Sequence, residues 1–395
     1  MTSVASTLAR IPRGIWILGF VSLFMDVSSE MIHALLPVYL VTVMGASNLA
    51  VGLIEGAAEA LAPITKIVSG ALSDRLDKRQ PVAAFGYGLA ALTKPVFALA
   101  STISWIVAAR FIDRIGKGIR GAPRDALVAD IAPAEIRGAA FGLRQSLDTV
   151  GAVIGPLVAI ALMLATADDF RLVFWVAVIP AIVSFLLIAF AVHEPPRPAG
   201  VQPVKSPLSR EAIARLGAPF WTVTAVATVF ALARFSEAFL ILRAENAGLG
   251  VAWAPAVLVV MSAVYTVAAY PAGVLSDRVG RLGLFAVGCG VLVLADLCLA
   301  LGDLAVVWVG IALWGLHMGL TQGILAALVA DTAPKELRGT AFGVLNFTTG
   351  VAALPSSAVA GLLWDRSGPE ATFLAGAAFS VAALAGLALV YRKRS

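Results

Sequence analysis

Long runs of apolar residues, each about as long as a bilayer is thick, follow one another through the whole chain. A helix needs about 20 predominantly apolar residues to cross a hydrocarbon core about 30 Å thick. Because lipid cannot satisfy backbone N–H and C=O groups, a spanning segment must form a helix or join a closed barrel. Runs of this length are typical of helices. The sequence therefore predicts an all-α integral membrane protein.

Twelve such runs can be counted in the 395 residues. Charged residues make up only 13% of the chain, whereas about a quarter is usual in a soluble domain. We predict membrane-spanning helices over these ranges: 14–41, 49–73, 81–101, 103–128, 138–165, 170–193, 219–244, 252–276, 282–301, 304–331, 339–363 and 370–391.

Lys and Arg are distributed unevenly between the two sides of the membrane. With the N-terminus inside, nearly all of those in loops and tails lie on the cytoplasmic side, among them Lys78 and Arg79. The positive-inside rule then predicts that both termini are cytoplasmic, in what we expect to be a bacterial inner membrane. The first run is too long for a signal peptide and contains Asp26 and Glu30, so we interpret it as an uncleaved helix. The basic balance indicates contact with membrane lipid, and no contact with nucleic acid.

Two short passages occur twice, about 200 residues apart. VADIAPAEIRGAAFG at 128–142 and VADTAPKELRGTAFG at 329–343 are identical at eleven of fifteen positions. GALSDRLDKR at 70–79 is repeated as GVLSDRVGRL at 273–282. Both copies of each passage are basic and therefore cytoplasmic, so each half has an even number of helices, and six fits. Two six-helix halves related by a pseudo-two-fold axis along the membrane normal are found in transporters.

The stretch between the sixth and seventh runs is rich in Pro and basic residues, which is typical of a linker. We predict an N-terminal six-helix bundle at 1–193, a cytoplasmic linker at 194–218 and a C-terminal six-helix bundle at 219–395. A short surface helix is expected around 208–216.

The duplicated loop resembles the signature of the major facilitator superfamily, G-x-L-x-D-R-x-G-R-R/K, and the resemblance extends over essentially the whole chain. The first copy matches at Gly70, Leu72, Asp74, Arg75 and Arg79. The second copy matches at Gly273, Leu275, Asp277, Arg278, Gly280 and Arg281. The resemblance implies a secondary transporter that works by alternating access.

Asp74 is predicted at the C-terminal end of a helix, where the helix macrodipole disfavours an anion. A partner at the N-terminus of another helix is therefore expected. The resemblance implies that Asp74 contacts the start of the eleventh helix near Arg338. It likewise implies that Asp277 contacts the start of the fifth helix near Arg137. We assign a gating role to Asp74, Arg75, Arg79, Arg137, Asp277, Arg278 and Arg338.

The fifth predicted helix contains GAVIGP, which begins at Gly151 and resembles a signature of the drug/proton antiporter branch. Gly151 and Gly155 lie one turn apart, so a neighbouring helix can approach closely, and Pro156 favours a kink. The family pattern continues with two glycines where this chain has Ala159 and Ile160. The resemblance implies proton-coupled export.

Charged residues inside the predicted spans are the best indication of a site, because each costs at least about 2.5 kcal/mol at mid-bilayer. They are concentrated in the first half. We predict substrate and proton coupling by Asp26, Glu30, His33, Glu55, Glu59, Arg110, Asp113, Lys117, Arg144 and Asp148. The second half has fewer, including Arg234, Glu237, Asp296 and His317. For pairs such as Arg144 with Asp148, the alternative is a purely structural ion pair.

Asp26 and Glu30 are the strongest candidates for carrying protons, because they lie one turn apart on one stripe of the first helix with His33. Two carboxylates so placed repel each other when both are ionised, which favours proton binding by one of them. The GKGIRG passage at 116–121 follows no strand, so we do not interpret it as a nucleotide site. A proton gradient is then the expected source of energy.

We interpret the chain as a monomeric, proton-coupled exporter of a small organic molecule, with no cofactor or metal. The alternative within the same fold is a proton-coupled uptake symporter of an organic anion or metabolite, using the basic residues of the fourth helix. From a different class, the alternative is a membrane receptor or an intramembrane enzyme. An enzyme needs a convergent nucleophile and base or a metal cluster, and the sequence shows neither pattern.

Overall fold

All regular secondary structure in the part of the chain that the structure describes is helical. The structure is a computed structural model, and it describes residues 10–76, 78–133, 136–194, 210–334 and 337–392. The long helices are α1 Arg13–His33, α2 Asn48–Leu76, α3 Arg79–Leu99, α4 Ile103–Ile131, α5 Arg137–Ala165, α6 Phe170–Leu186, α7 Ala218–Ala233, α8 Ala238–Asn246, α9 Ala256–Val279, α10 Arg281–Leu301, α11 Leu304–Thr332 and α12 Arg338–Arg392.

Several helices depart from regular geometry. π-Helical turns follow α1 at Tyr39–Val43 and α6 at Leu187–Ala191. Residues 234–237 interrupt the apolar stretch that forms α7 and α8. Within α12, Gly368 has a φ of 85°, a conformation that glycine adopts without strain, so α12 consists of two helical segments. A short helix at Arg210–Ala214 lies within the predicted surface helix before α7.

Nine stretches of the described residues are long and apolar enough to cross a membrane. α2 and α4 are not among the nine, because charged and polar residues lower their hydropathy. α12 is counted once, although Gly368 divides it. The prediction of an all-helical, multi-span membrane protein is confirmed.

Packing divides the chain into two compact units. The first comprises residues 1–36 and 61–204, and the second comprises residues 37–60 and 205–395. The division passes through α2, whose first half belongs to the second unit. Residues 195–209 of the predicted linker lie outside the described part of the chain, and the domain boundaries at 193 and 219 stay a prediction.

In the first unit, α1 packs against α5 and α6, while α3 packs against α4 and α6. The core is formed by small and branched apolar side chains from several helices. It includes Leu18 of α1, Tyr87 of α3, Val128 of α4, Ala140 of α5 and Ala181 of α6. Because lipid is as apolar as these side chains, close packing rather than exclusion of water holds the helices together.

The second unit has its own core, with Phe220 of α7, Val329 of α11 and Ala341 of α12. In this unit α7 packs against α12, α9 against α11, and α10 against both α11 and α12. The contact of α7 with α12 corresponds to that of α1 with α5, and the contact of α10 with α11 corresponds to that of α3 with α4. The helix pairing of the first unit thus recurs in the second.

The glycines of GKGIRG are positions of close helix packing in α4. A Cβ on Gly116 would lie 2.8 Å from the carbonyl oxygen of Gly86 in α3. A Cβ on Gly118 would lie 2.6 Å from the carbonyl oxygen of Ala62 in α2. Contacts this short are possible only without a side chain, so these glycines allow α2 and α3 to approach α4 from two sides.

Candidate functional site

Gly151 and Gly155 bring α5 close to α1. A Cβ on Gly151 would lie 2.5 Å from a backbone carbonyl oxygen of α1, and a Cβ on Gly155 would lie 2.7 Å from another. The same two positions adjoin acidic residues, since these Cβ atoms would lie 3.2 Å from the Cβ of Asp26 and 3.0 Å from the Cβ of Glu30. Pro156 follows inside α5. The small residues of this motif therefore form the surface against which the acidic side of α1 packs.

Asp26 meets Asp148 of α5, which lies one turn before Gly151. The two carboxyl groups are within hydrogen-bonding reach, and Lys117 and Arg120 of α4 are cations that attract Asp26. A carboxylate only accepts hydrogen bonds, so two carboxyl groups form one only when one of them is protonated. This carboxyl pair can therefore hold a proton.

Two arginines also approach Asp148. The Nη1 atoms of Arg124 and Arg144 each lie 3.7 Å from its Oδ1 atom. Arg124 also donates a hydrogen bond of 3.1 Å to Ser22 of α1 and lies 3.1 Å from the carboxylate of Asp125. The Asp148 side chain therefore has the carboxyl group of Asp26 and two guanidinium groups as neighbours.

Glu30 has a different partner. Its Oε2 atom lies 3.3 Å from Nδ1 of His33, and Lys117 and Arg114 are nearby cations. The sequence pairs Asp26 with Glu30, whereas the structure pairs Asp26 with a residue of α5. Helical periodicity places both acids on one stripe, but the opposing helix decides which group each of them meets.

Asp113 lies in a buried ion pair with Lys94 of α3. Nζ of Lys94 is 2.8 Å from Oδ1 of Asp113 and 3.1 Å from Oγ of Ser29. The side chains of the pair are 1% and 6% exposed. Arg110, also predicted as a site residue, is buried on the same helix. The geometry of the pair favours a role for Asp113 in holding α3 to α4.

Glu55 and Glu59 lie on the part of α2 that belongs to the second unit. Glu55 is fully buried, whereas Glu59 is exposed. Within the first unit the structure gathers Asp26, Asp148 and Arg144 around the contact of α1 with α5, with Lys117 nearby.

The duplicated loop makes the same contact in each unit. Nη1 of Arg79 donates to the carboxylate of Asp130 and to a backbone carbonyl of α4 at 3.1 Å. Nη1 of Arg281 donates to the carboxylate of Asp331 and to a backbone carbonyl of α11 at 3.2 Å. Asp130 and Asp331 are the third residues of the duplicated VAD passages. The two repeated motifs therefore contact each other inside each unit.

The remaining gating residues divide into two groups. Arg137 and Arg338 are exposed at the starts of α5 and α12, and Nε of Arg338 donates to the carbonyl oxygen of Ala330 at 3.1 Å. The other side chains lie outside the described part of the structure: Asp74, Arg75, Asp277 and Arg278. The predicted contacts of Asp74 and Asp277 with the opposite half stay predictions.

Arg124 and Lys94 contact predicted site residues but were not predicted as members of the site. A signal for Arg124 was present, because Lys117, Arg120 and Arg124 are spaced three and four residues apart and form one stripe of α4. Lys94 is an isolated charge in an apolar run. Its partner lies on another helix, which no local pattern reveals.

A family model described as Major Facilitator Superfamily matches residues 18–357 of this sequence. The chain belongs to the major facilitator superfamily. Members of this family transport small molecules across membranes and are not enzymes. The predictions of the family and of secondary transport are therefore confirmed.

Relatives and solved structures extend the match over nearly the whole chain. An uncharacterized MFS-type transporter of Methanocaldococcus jannaschii is 30% identical over 394 residues, which cover 97% of this chain and 95% of the relative. The nucleoside transporter NupG has a TM-score of 0.82 at 12% identity, over 95% of this chain and 99% of that chain. A bacterial homologue of the human lysosomal transporter Spinster, in an inward-facing and unoccupied conformation, has a TM-score of 0.79 at 17% identity, over 99% and 98% of the two chains. At these identities the two solved structures show the shared fold alone.

Proposed function

We propose that this member of the major facilitator superfamily is a proton-coupled secondary transporter that exports a small organic molecule by alternating access. The observation that carries the proposal is the contact of Asp26 with Asp148 between α1 and α5. Two carboxyl groups and several cations inside a membrane are costly and are typical of a proton or substrate pathway. The proton held by this pair is the coupling ion.

Loss of the proton changes the forces between α1 and α5. In the protonated state, one carboxyl group donates a hydrogen bond to the other. After deprotonation two negative charges face each other, and Asp148 is drawn to Arg124 and Arg144, each 3.7 Å away. A proton thereby favours one arrangement of these helices over another, which is what coupling to a conformational cycle requires.

We propose twelve membrane spans in two six-helix halves with pseudo-two-fold symmetry. The nine apolar stretches account for nine spans. α2 and α4 each have 29 residues, enough for a length of about 44 Å, and supply two more. The division of α12 at Gly368 supplies the twelfth. Recurrence of the helix pairing in the two units supports the symmetry.

Export is the proposed direction, because Gly151, Gly155 and Pro156 resemble the antiporter signature and form the surface that adjoins Asp26. The second candidate is uptake of an organic anion with protons. It is supported by the cations of α4, among them Arg120 beside the carboxyl pair.

We further propose that the protein acts as a monomer in a bacterial inner membrane with both termini in the cytoplasm. In this orientation the duplicated loops lie on the cytoplasmic side. Asp74 and Asp277 then act in the cytoplasmic gate, and the contacts of Arg79 with Asp130 and of Arg281 with Asp331 fix the loops to their own units.

The test is transport of a panel of labelled organic molecules into inside-out vesicles under an imposed pH gradient. The intact protein should accumulate at least one compound, whereas Asp26→Asn and Asp148→Asn should lose gradient-driven accumulation but retain exchange without a gradient. Asp168→Asn is a matched control, because Asp168 is exposed in a loop with a φ of 67°, which Asn tolerates. Full gradient-driven accumulation by both site variants would overturn the proposal, and accumulation only in right-side-out vesicles would favour uptake.

A further inference from the structure

A helix break lies inside a membrane span of the second unit. α7 ends at Ala233 and α8 begins at Ala238, within a stretch whose length and hydropathy suit a single span. At membrane depth, non-helical backbone is tolerated only where it is buried in protein or lines a cavity. Discontinuous helices of this kind form the substrate sites of many transporters. The side chains around this break are therefore candidates for a substrate site.

Two adjacent serines of α12 satisfy the backbone at the break. Oγ of Ser356 donates to the carbonyl oxygen of Leu232 at 2.8 Å, and Oγ of Ser357 accepts from the backbone N–H of Ser236 at 3.1 Å. Without such partners, each backbone group would cost several kcal/mol in lipid. The sequence thus provides polar groups where α7 stops, which indicates that the break is a built feature of the fold.

Arg234 is the first residue of the break and lines a cavity of about 200 Å³ between α7, α11 and α12. Its Nε atom is buried and has no hydrogen-bond partner among the described residues. The described lining contains no acidic residue: Ala227, Phe230, Ala231, Arg234, Thr321, Gln322, Leu325, Ala326, Phe342, Leu345, Asn346 and Thr349. The cavity therefore offers a positive charge with no opposite charge in its wall.

The remaining lining residues fit an organic ligand with one charged group. Gln322, Asn346 and Thr349 supply amide and hydroxyl groups, whereas Phe230 and Phe342 supply aromatic surface. Small-molecule sites are usually of this composition, largely apolar with a few polar groups that orient the ligand. The planar guanidinium group forms two parallel hydrogen bonds with a carboxylate, a geometry that a neutral ligand cannot match.

We propose that this cavity is the substrate-binding surface of the second unit and that its substrate is an organic anion, a carboxylate or similar group joined to an apolar, aromatic-sized body. Arg234 binds the anionic group, and the phenylalanines contact the apolar body. The proposal rests on the transport function proposed above, and it assigns to that function a class of substrate. Glu237, which follows Arg234 by three residues and attracts it, is not part of the described lining.

The test measures equilibrium binding of 1-naphthoate and its neutral amide, 1-naphthamide, to the purified full-length protein. The intact protein should bind 1-naphthoate at least about tenfold more tightly than 1-naphthamide, because hydrogen bonds between charged groups are stronger than those to a neutral amide; tenfold corresponds to about 1.4 kcal/mol. Arg234→Gln should weaken 1-naphthoate binding by a similar factor and leave 1-naphthamide binding unchanged. Arg215→Gln removes the same charge from an exposed position and should change neither.

Equal binding of the two compounds, absence of 1-naphthoate binding, or unchanged binding by Arg234→Gln would each overturn the proposal. If Arg234→Gln fails to fold, Arg234→Lys and Asn346→Leu replace it. Arg234→Lys should still bind 1-naphthoate more tightly than 1-naphthamide, and Asn346→Leu should show a smaller preference for 1-naphthoate than the intact protein. Loss of the preference in Arg234→Lys, or an unchanged preference in Asn346→Leu, would contradict the assignment. Proton coupling is measured by the transport assay described above and anion recognition by this binding assay, so failure of the proposed function and failure of the anion assignment are separate outcomes.

Discussion

The buried pair of Lys94 and Asp113 yields the sharpest prediction about stability. Lys94→Met should destabilise the protein strongly, whereas the double variant Lys94→Met/Asp113→Leu should recover most of the lost stability. The reason is the geometry of the pair, with 2.8 Å between Nζ and Oδ1 and side chains that are 1% and 6% exposed. Methionine leaves the buried Asp113 carboxylate without the cation that donates a hydrogen bond to it, although Arg114 and Arg120 still attract it. The double variant leaves no charge at either position.

The expected magnitudes follow from this burial. Removing one partner of a buried ion pair costs about 3–5 kcal/mol, whereas replacing both partners by apolar residues of similar size is often neutral or stabilising. Lys66 provides a matched control, since its Nζ lies 3.2 Å from Asp125 but the side chains are 50% and 31% exposed. Lys66→Met should therefore cost no more than about 1 kcal/mol.

The assay is reversible unfolding of the purified protein in mixed micelles, combined with transport by the same variants. The structural interpretation requires the double variant to be about as stable as the intact protein and active in transport. A double variant that is as unstable as Lys94→Met would contradict the argument from burial. A stable double variant that has lost proton-driven transport would instead restore Asp113 to the coupling site that the sequence predicts.

Three further results are expected. Gly118→Val should lower the free energy of unfolding by about 1–3 kcal/mol, because even a Cβ would lie 2.6 Å from a carbonyl oxygen of α2. Gly142→Ala is the control and should not lower it, because the space around Gly142 is open. Equal unfolding midpoints for the two variants would refute this packing. Ser357→Ala should cost about 1–3 kcal/mol in the same unfolding assay by leaving the N–H of Ser236 without its partner, and an unchanged midpoint would show that another group satisfies it. In a variant without the two natural cysteines, a cysteine that replaces Ser47 should react with an impermeant thiol reagent added to intact cells. A cysteine at residue 206, which lies outside the described part of the chain, should not react. The reverse labelling pattern would show the opposite topology.

Hydropathy was sufficient to predict where helices lie, because the bilayer allows few other structures for an apolar run. It did not predict the break between α7 and α8. The sequence ARFSEA at 233–238 contains neither Pro nor Gly, and the predicted span 219–244 continued through it. The break depends on Ser356 and Ser357, more than 100 residues away in the chain, so no local signal identifies it.

The candidate site shows the same limit. Spacing along α1 correctly places Asp26 and Glu30 on one side of the helix, and the glycines of α5 mark a surface for close approach. Which groups meet is decided by the register of α5 against α1, and this register places Asp148 beside Asp26. Sequence periodicity therefore predicts which side of α1 faces α5 better than it predicts which side chains pair there.

The most direct test of the central claim asks whether a proton at Asp26 and Asp148 moves with the solute. Proteoliposomes that enclose a pH-sensitive dye are supplied with the compound that the transport panel identifies, and internal pH and solute movement are recorded together. The intact protein should change the internal pH as the solute moves, while Asp26→Asn and Asp148→Asn should still exchange solute but produce no pH change. A pH change of normal size in both variants would contradict the account.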